Sequence, residues 1–398
     1  MKNRIKKRTK RRTKNQTKKR TKFLFAFAVI LIILSVFPDC RADSVADEFF
    51  ESGAADSLAD KAKSENIEKV YDGFDFAEFA KEIMTANAFY PEKIVGKAAY
   101  VLFGAVADNA HMLVVLIALA LVGGIISNLQ SSFNTKATAE TAFFAFYAVY
   151  AGILAVCVYN CLDTAWRTVE EQSAFLQAAA PTYIGMMIAS GSVMTGTAAK
   201  PLILYFISLI SIAVKDFFIP FSFMIFVLAI INNLSGKMHI TKLVNLFKFT
   251  VSKLLTALMT VFVTLLTLSG MSAQSVDTLS ARAAKYAAQN FVPVVRNVLS
   301  STIDTVYASA AVLRSALGAA GIVTVALLCA YPVLKFGALI FLYKLAAAII
   351  EPLADKRISN AVNEAANAIS LLFSLLVCVA VVFSLAVAYL AEFAVGVR

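Results

Sequence analysis

The sequence predicts an all-α polytopic membrane protein that carries an N-terminal signal peptide and a small exported helical region. Of its 398 residues, 59% are hydrophobic and 16% are charged, and the mean hydropathy is +0.73. A soluble domain cannot cover such a composition with a polar surface, so lipid is the expected medium around the folded chain. Basic residues crowd at the N-terminus, and apolar runs fill the sequence from residue 111 onward. These observations divide the chain into residues 1–42, 43–110 and 111–398.

Residues 1–42 have the order of parts found in a secretory signal peptide with a long basic n-region. Thirteen Lys or Arg residues and no acid occupy positions 1–22, and the apolar run FLFAFAVILIILSVFP follows them. Cleavage after Ala42 would leave 23 basic and 25 acidic residues, so the mature chain would be slightly acidic and nucleic acid is not an expected partner. An uncleaved signal anchor is the alternative, because the basic flank is long.

Residues 43–110 are predicted to form an acidic extracytoplasmic region. Fourteen Asp or Glu residues face six Lys residues in this stretch. Apolar side chains such as Val70, Phe74 and Phe79 recur near helical spacing, which indicates short amphipathic helices. Such helices could dock on a partner or on the outer face of the chain itself.

Residues 111–398 are predicted to be a multi-span helical domain with about 7–10 membrane segments, since about 20 apolar residues in a helix cross a bilayer core. Some runs are shorter than this, and the two that flank Lys215 and Asp216 fit either two tilted spans or a re-entrant hairpin. The nine apolar runs cover residues 112–127, 142–162, 174–198, 201–214, 217–232, 254–270, 319–334, 336–350 and 369–391.

The lysine-rich loop at residues 233–253 predicts the orientation of the spans. Cytoplasmic loops are enriched in Lys and Arg, and this loop falls in the cytoplasm if the mature N-terminus lies outside. Residues 291–315 contain charges within an apolar pattern and either cross the membrane or lie on its surface. The side of the C-terminus depends on which of these holds.

Four prolines are candidate helix breaks and suggest an internal repeat. Pro181 and Pro220 have the same spacing as Pro293 and Pro332, so residues 181–270 could match residues 293–382. Chance is the alternative, because proline is frequent in membrane helices.

Charged residues within or beside the apolar runs are the candidate site residues. A charge in hydrocarbon costs about 3 kcal/mol or more, so it usually faces a cavity, another helix or an opposite charge. These residues could line a passage or contact another membrane subunit, or they could mark span ends and extend to the interface. Lys344 and Glu351 lie two turns apart and share a helix face. The full set is Lys215, Asp216, Asp304, Arg314, Lys344 and Glu351.

No catalytic constellation is recognisable in the sequence, and we predict that the chain is not an enzyme and holds no cofactor or metal. His111 and His239 are the two histidines, and neither lies beside a candidate nucleophile or metal ligand. A phosphate-binding loop is absent from the sequence as well, so the chain is not expected to hydrolyse nucleotides. The cysteines inside the apolar runs are interpreted as small buried residues.

Three segments carry a resemblance to a known family. Residues 278–285 (TLSARAAK), 290–294 (NFVPV) and 341–352 (FLYKLAAAIIEP) resemble the stage III sporulation protein AE family of endospore-forming bacteria. The resemblance implies a multi-pass protein of the mother-cell membrane that faces the forespore. It also implies partners, namely other stage III sporulation membrane proteins that include an ATPase and ring-forming subunits.

The predicted function is a membrane component of the channel or transport assembly between mother cell and forespore, which endospore development requires. One alternative is a membrane scaffold that recruits the ring-forming and ATPase subunits without forming a passage. An intramembrane enzyme is a third possibility, which would need a nucleophile and a base paired at depth.

Overall fold

A computed structural model describes residues 54–84, 91–130, 136–189, 204–234, 240–265 and 296–392, and these residues form helices with no strand among them. The predicted signal peptide lies outside the described residues. The helices are α1 (Ala54–Ala62), α2 (Glu65–Glu68), α3 (Phe76–Met84), α4 (Pro91–Gln130), α5 (Lys136–Ala189), α6 (Leu204–Leu234), α7 (Thr241–Leu265), α8 (Arg296–Ile350) and α9 (Lys356–Glu392).

Six of the described helices, α4 to α9, are long and apolar enough to cross a membrane. The all-helical membrane fold is therefore confirmed, but the nine apolar runs belong to only six helices. Three pairs of runs merge in α5, α6 and α8. In α5 the polar residues between the two runs continue the helix, and Arg167 pairs with Asp163 one turn earlier at 2.9 Å. Polar sequence between two apolar runs therefore does not mark a loop here.

The predicted helix breaks at Pro181 and Pro332 are also wrong, because α5 and α8 continue through these residues. A proline removes one hydrogen bond of the helix, and packing against neighbouring helices can outweigh that loss. Pro220 follows a π-helical segment, Ala213–Phe218, in α6. Pro293 lies outside the described residues, and the internal repeat stays a prediction.

Helix α9 is the centre of the bundle. It packs against α5, α6 and α8, and none of its large apolar side chains is exposed. A short turn, residues 351–355, joins α8 to α9, and the Asp355 side chain accepts a hydrogen bond from the Arg357 N–H at 2.8 Å as a helix cap. Helix α7 lies at the periphery, where most of its side chains are exposed.

Helices α1 to α3 pack against the middle of α5 and α8. Phe76 in α3 is fully buried and meets Phe175 in α5 edge to face, with ring centroids 5.8 Å apart. The predicted acidic region thus docks on the chain's own helices. Its predicted end at residue 110 falls inside α4, since the helix begins at Pro91 before the apolar run starts.

Candidate functional site

A group of polar side chains joins α7, α8 and α9. Lys344 in α8 donates hydrogen bonds to the side-chain oxygens of Asn363 and Asn367 in α9, at 2.6 Å and 2.8 Å. Lys248 in α7 forms an ion pair with Glu364 in α9 at 2.7 Å. We call Lys248, Lys344, Asn363, Glu364 and Asn367 the polar cluster.

The α-helical repeat places the three α9 members of the polar cluster together. Asn363 and Asn367 are four residues apart and share one face, and Glu364 lies beside them on the side of α7. Ser370 and Ser374 continue the same face for two further turns, and both are partly or largely exposed. The polar stripe therefore extends along about 16 Å of α9.

The polar cluster combines two lysines with one glutamate. The side chains of Lys248 and Glu364 are 27% and 22% exposed, so most of their surface is withdrawn from solvent or lipid. Lys344 is more exposed, and its ammonium group is satisfied by amide oxygens without a carboxylate of its own. A charged group at this depth requires such partners or water, because hydrocarbon offers neither.

Of the predicted pair Lys344 and Glu351, only Lys344 belongs to the polar cluster. Glu351 follows the last residue of α8, where its side chain is exposed and its backbone N–H bonds to the Ala347 carbonyl. Lys344 lies inside α8 and Glu351 lies just beyond its end, so the predicted shared helix face does not give the two side chains a common partner. The other four members are not among the residues predicted from the sequence, although the spacing of Asn363 and Asn367, just before the last apolar run, could have indicated these two.

Lys215 and Asp216 lie on the π-helical segment of α6. Lys215 pairs with Glu170 of α5, and its ammonium group lies over the Trp166 ring, 5.1 Å from the centroid. Asp216 is exposed. The pair of Lys215 with Glu170 therefore lies beside a tryptophan, as expected for residues at a membrane interface.

The remaining predicted charges lie in α8. Arg314 is fully buried, and its Nε donates to the Ala391 carbonyl near the end of α9 at 3.2 Å. Asp304 belongs to the same helix, but its side chain lies outside the described part of the chain. Arg314 is not part of the polar cluster.

Helix α7 carries a row of hydroxyl groups on its exposed face. Thr256, Thr260 and Thr264 each donate to the carbonyl four residues earlier, at 2.8 Å. Each hydroxyl donates its hydrogen bond within its own helix, so this face of α7 can lie against either lipid or a neighbouring protein.

The described residues contain no group of three or more His, Cys, Asp or Glu side chains that could hold a metal ion. Cys161 and Cys329 are buried free thiols, as the sequence indicated. The chemistry available in the described part is that of charge placement and hydrogen bonding at membrane depth.

Comparison with known proteins decides the family. A model of the family described as stage III sporulation protein AE matches residues 74–394. The chain belongs to this family. It is also 24% identical over 299 residues to the stage III sporulation protein AE of Bacillus subtilis (strain 168), and the match covers 75% of each chain. The family resemblance seen in the sequence is thereby confirmed, and the chain is a membrane protein of a sporulation family. No solved structure matches it.

Proposed function

We propose that this family member is a membrane component of the channel or transport assembly between mother cell and forespore, and that it performs no catalysis of its own. Membership of a stage III sporulation family supports the role in spore development. The polar cluster supports the more specific proposal of a channel, because a passage for polar solutes needs hydrogen-bonding and charged groups at the depth of the bilayer.

The cluster suits a passage better than a purely structural contact. Its members come from three helices, Lys344 is accessible from outside the bundle, and Ser370 and Ser374 extend the polar stripe. A charged side chain with a purely structural role would be enclosed by protein, as Arg314 is. The accessible lysine is therefore the single observation on which this proposal rests most.

The proposal places the chain in the mother-cell membrane facing the forespore, with residues 43–110 on the extracytoplasmic side. Its partners would be other stage III sporulation membrane proteins, including an ATPase and ring-forming subunits. An energy-supplying partner fits a sequence that has no phosphate-binding loop.

Replacement of cluster residues tests the proposal in a sporulating host that lacks its own copy of the protein. Lys344→Leu and the charge-neutral double variant Lys248→Leu/Glu364→Leu are expected to reach the membrane in parental amounts but to reduce the yield of heat-resistant spores. Lys253→Leu is the matched control, since Lys253 is an exposed lysine of α7 outside the cluster. Parental spore yield in both cluster variants would contradict a role of the cluster in transport.

A membrane scaffold is the second candidate. The exposed carboxylates of Glu68, Asp75 and Glu78 in the docked N-terminal helices offer a surface for ring-forming subunits. Release of a polar dye from vesicles that contain the protein and its partners separates the two functions. A passage predicts release that depends on Lys344, and a scaffold predicts intact vesicles with all partners recruited.

A further inference from the structure

The longest helices exceed the thickness of a bilayer more than twofold. Helix α5 has 54 residues and α8 has 55, so each is about 80 Å long at 1.5 Å per residue. A hydrocarbon core is about 30 Å thick, and the usual helix tilts of up to about 40° absorb only a small part of this difference. A large part of each helix must therefore lie outside the bilayer.

Charges mark a segment of α5 that has the thickness of the hydrocarbon core. At one end, the Arg357 guanidinium lies over the Phe143 ring, 5.4 Å from the centroid. At the other end, the ion pair of Asp163 with Arg167 follows. The 20 residues from Phe143 to Asp163 span about 30 Å, and none of residues 143–162 is charged.

The same boundary recurs in α6. Lys215 meets Glu170 and Trp166 at this level, and residues 217–234 contain no charge.

We call the part of the bundle between this boundary and the turn at residues 351–355 the proximal half. It comprises residues 140–162 of α5, 219–234 of α6, 336–350 of α8 and 356–374 of α9, with α4 beside them. The distal half comprises residues 163–189 of α5, 313–335 of α8 and 375–391 of α9.

The exposed side chains of α5 change character at the boundary. In the proximal half, Phe144, Val149 and Val156 are more than half exposed. In the distal half, the exposed positions include Gln177, Pro181 and Gly185, and the large apolar side chains of α5 exposed there among the described residues are Trp166 at the boundary and Ile188. Large apolar side chains on the outside suit lipid, whereas small and polar ones do not require it.

Helix α8 shows the same change. No side chain from residue 313 to residue 340 is exposed, but Phe341, Leu345 and Ile349 then form an exposed apolar stripe. The distal part of α8 is therefore covered by protein, and part of that cover comes from the N-terminal helices α1 to α3. The Ser64 hydroxyl and the Asn66 amide donate to Glu171 at 2.7 Å and 2.9 Å, and the Lys69 ammonium lies over the Tyr331 ring.

The covering helices require water on their outer side. Glu68 and Glu78 are exposed there, and a carboxylate does not remain ionised in hydrocarbon without a partner. The segment of α5 and α8 that these helices touch therefore lies outside the lipid.

We propose that the bilayer surrounds the proximal half, and that the distal parts of α5 and α8 lie in water, where α1 to α3 help to cover them. The placement of these parts outside the cell membrane rests on the proposed extracytoplasmic position of residues 43–110. The polar cluster then lies inside the bilayer, and Arg314 lies in the core of an extramembrane domain.

Single cysteines test this placement in the full-length chain with Cys40 replaced by Ser. Gln177→Cys and Gly185→Cys report on the distal half, and Val149→Cys and Val156→Cys on exposed positions of the proximal half. A membrane-impermeant maleimide added to intact cells should label the distal cysteines at least about tenfold faster than the proximal ones, because the thiolate forms in water. The parent without added cysteines gives the background.

Lipid contact is measured independently in vesicles of phosphatidylglycerol and phosphatidylethanolamine with brominated acyl chains. Quenching of a fluorescent label is expected at Val156→Cys and not at Gln177→Cys. Quenching at Gln177→Cys, or its labelling only after the cells are opened, would overturn the proposal. If the cysteines label as expected but the vesicles release no polar dye, the proposed passage is contradicted and the placement in the bilayer is not.

Discussion

Each half of α5 contains an apolar run, but the two halves arrange its large side chains in opposite ways. In the proximal half large apolar side chains point outward, whereas in the distal half Phe175, Leu176 and Tyr183 are fully buried and smaller residues lie outside. A high apolar content therefore shows only that a segment avoids water. Whether lipid or protein surrounds the segment is shown by the direction in which its large side chains point.

Buried hydroxyl groups donate to backbone carbonyls in both halves, as Tyr147 does to Ile230, and the polar cluster is where the two halves differ. The proximal half holds the partly accessible polar cluster, whose members bond to one another through side chains. In the distal half, the buried polar side chains bond to backbone carbonyls, as Gln172 does to Val325 at 3.3 Å and the Tyr183 hydroxyl does to Leu317 at 2.8 Å. The first arrangement can exchange partners, and the second fixes helix packing.

Removal of the aromatic contact in the distal half should have the largest effect. Phe175→Ala deletes a fully buried ring that packs on Phe76, and such a change costs about 3–5 kcal/mol. We expect residues 54–84 to become sensitive to added protease while the proximal half stays in the membrane. Gln177→Ala, at an exposed position two residues away, should leave the protease pattern unchanged, and equal sensitivity in both variants would contradict the docking described here.

Crowding the distal half should have the next largest effect. A Cβ on Gly318 would collide with Ala391, whereas one on Gly185 would have nothing within 4 Å. Gly318→Leu should therefore destabilise the bundle by about 1–3 kcal/mol or more, seen as a lower melting temperature in detergent. Gly185→Leu should melt near the parent, and similar melting of both variants would show that α8 and α9 are packed less closely at this point.

The ion pair of the polar cluster should have a smaller effect on stability. Glu364→Gln and Lys248→Met each remove one charge from a contact that is about three-quarters covered, and the expected coupling in a double-mutant cycle is about 1–3 kcal/mol. Thermal unfolding of the single and double variants in detergent gives the coupling. Additive effects would mean that the pair does not form.

The pair of Glu65 with Lys69 in α2 should have the smallest effect, and one that depends on pH. The hydrogen bond and charge of Lys69 lower the pKa of Glu65, and the hydrogen bond of Glu65 raises the pKa of Lys69. The contribution of the pair is therefore present near neutral pH and is lost as the pH falls through the lowered pKa of Glu65. It is lost again as the pH rises through the raised pKa of Lys69.

Protease resistance of residues 54–84, measured as a function of pH, tests this pair. Glu65→Gln should remove the acid-dependent loss attributed to it, with little change at neutral pH because an exposed pair contributes little. Glu68→Gln serves as the matched control at the last residue of the same helix. An unchanged acid profile in Glu65→Gln would assign the loss to another carboxylate.

Composition and apolar runs were sufficient to predict the helical membrane fold, because the lack of polar surface leaves few alternatives. They could not predict that residues 163–173 continue α5, since polar side chains suit both a surface loop and an extramembrane helix. Lys344 was found because a charge inside an apolar run is conspicuous. Asn363, Glu364 and Asn367 precede the last apolar run and resembled a polar helix start, so their role became visible only through contact with α7 and α8.

The π-helical segment before Pro220 changes the angular register of α6. A proline at position 220 would crowd the carbonyl of Asp216 in a regular α-helix, and the wider turn, in which the Ile219 N–H reaches Val214 five residues earlier, relieves that crowding. The extra residue rotates everything after it by roughly one helical position, about 100°. A relative with another residue in place of this proline is therefore expected to be one residue shorter here if it keeps the same faces of α6 in contact with α5 and α9.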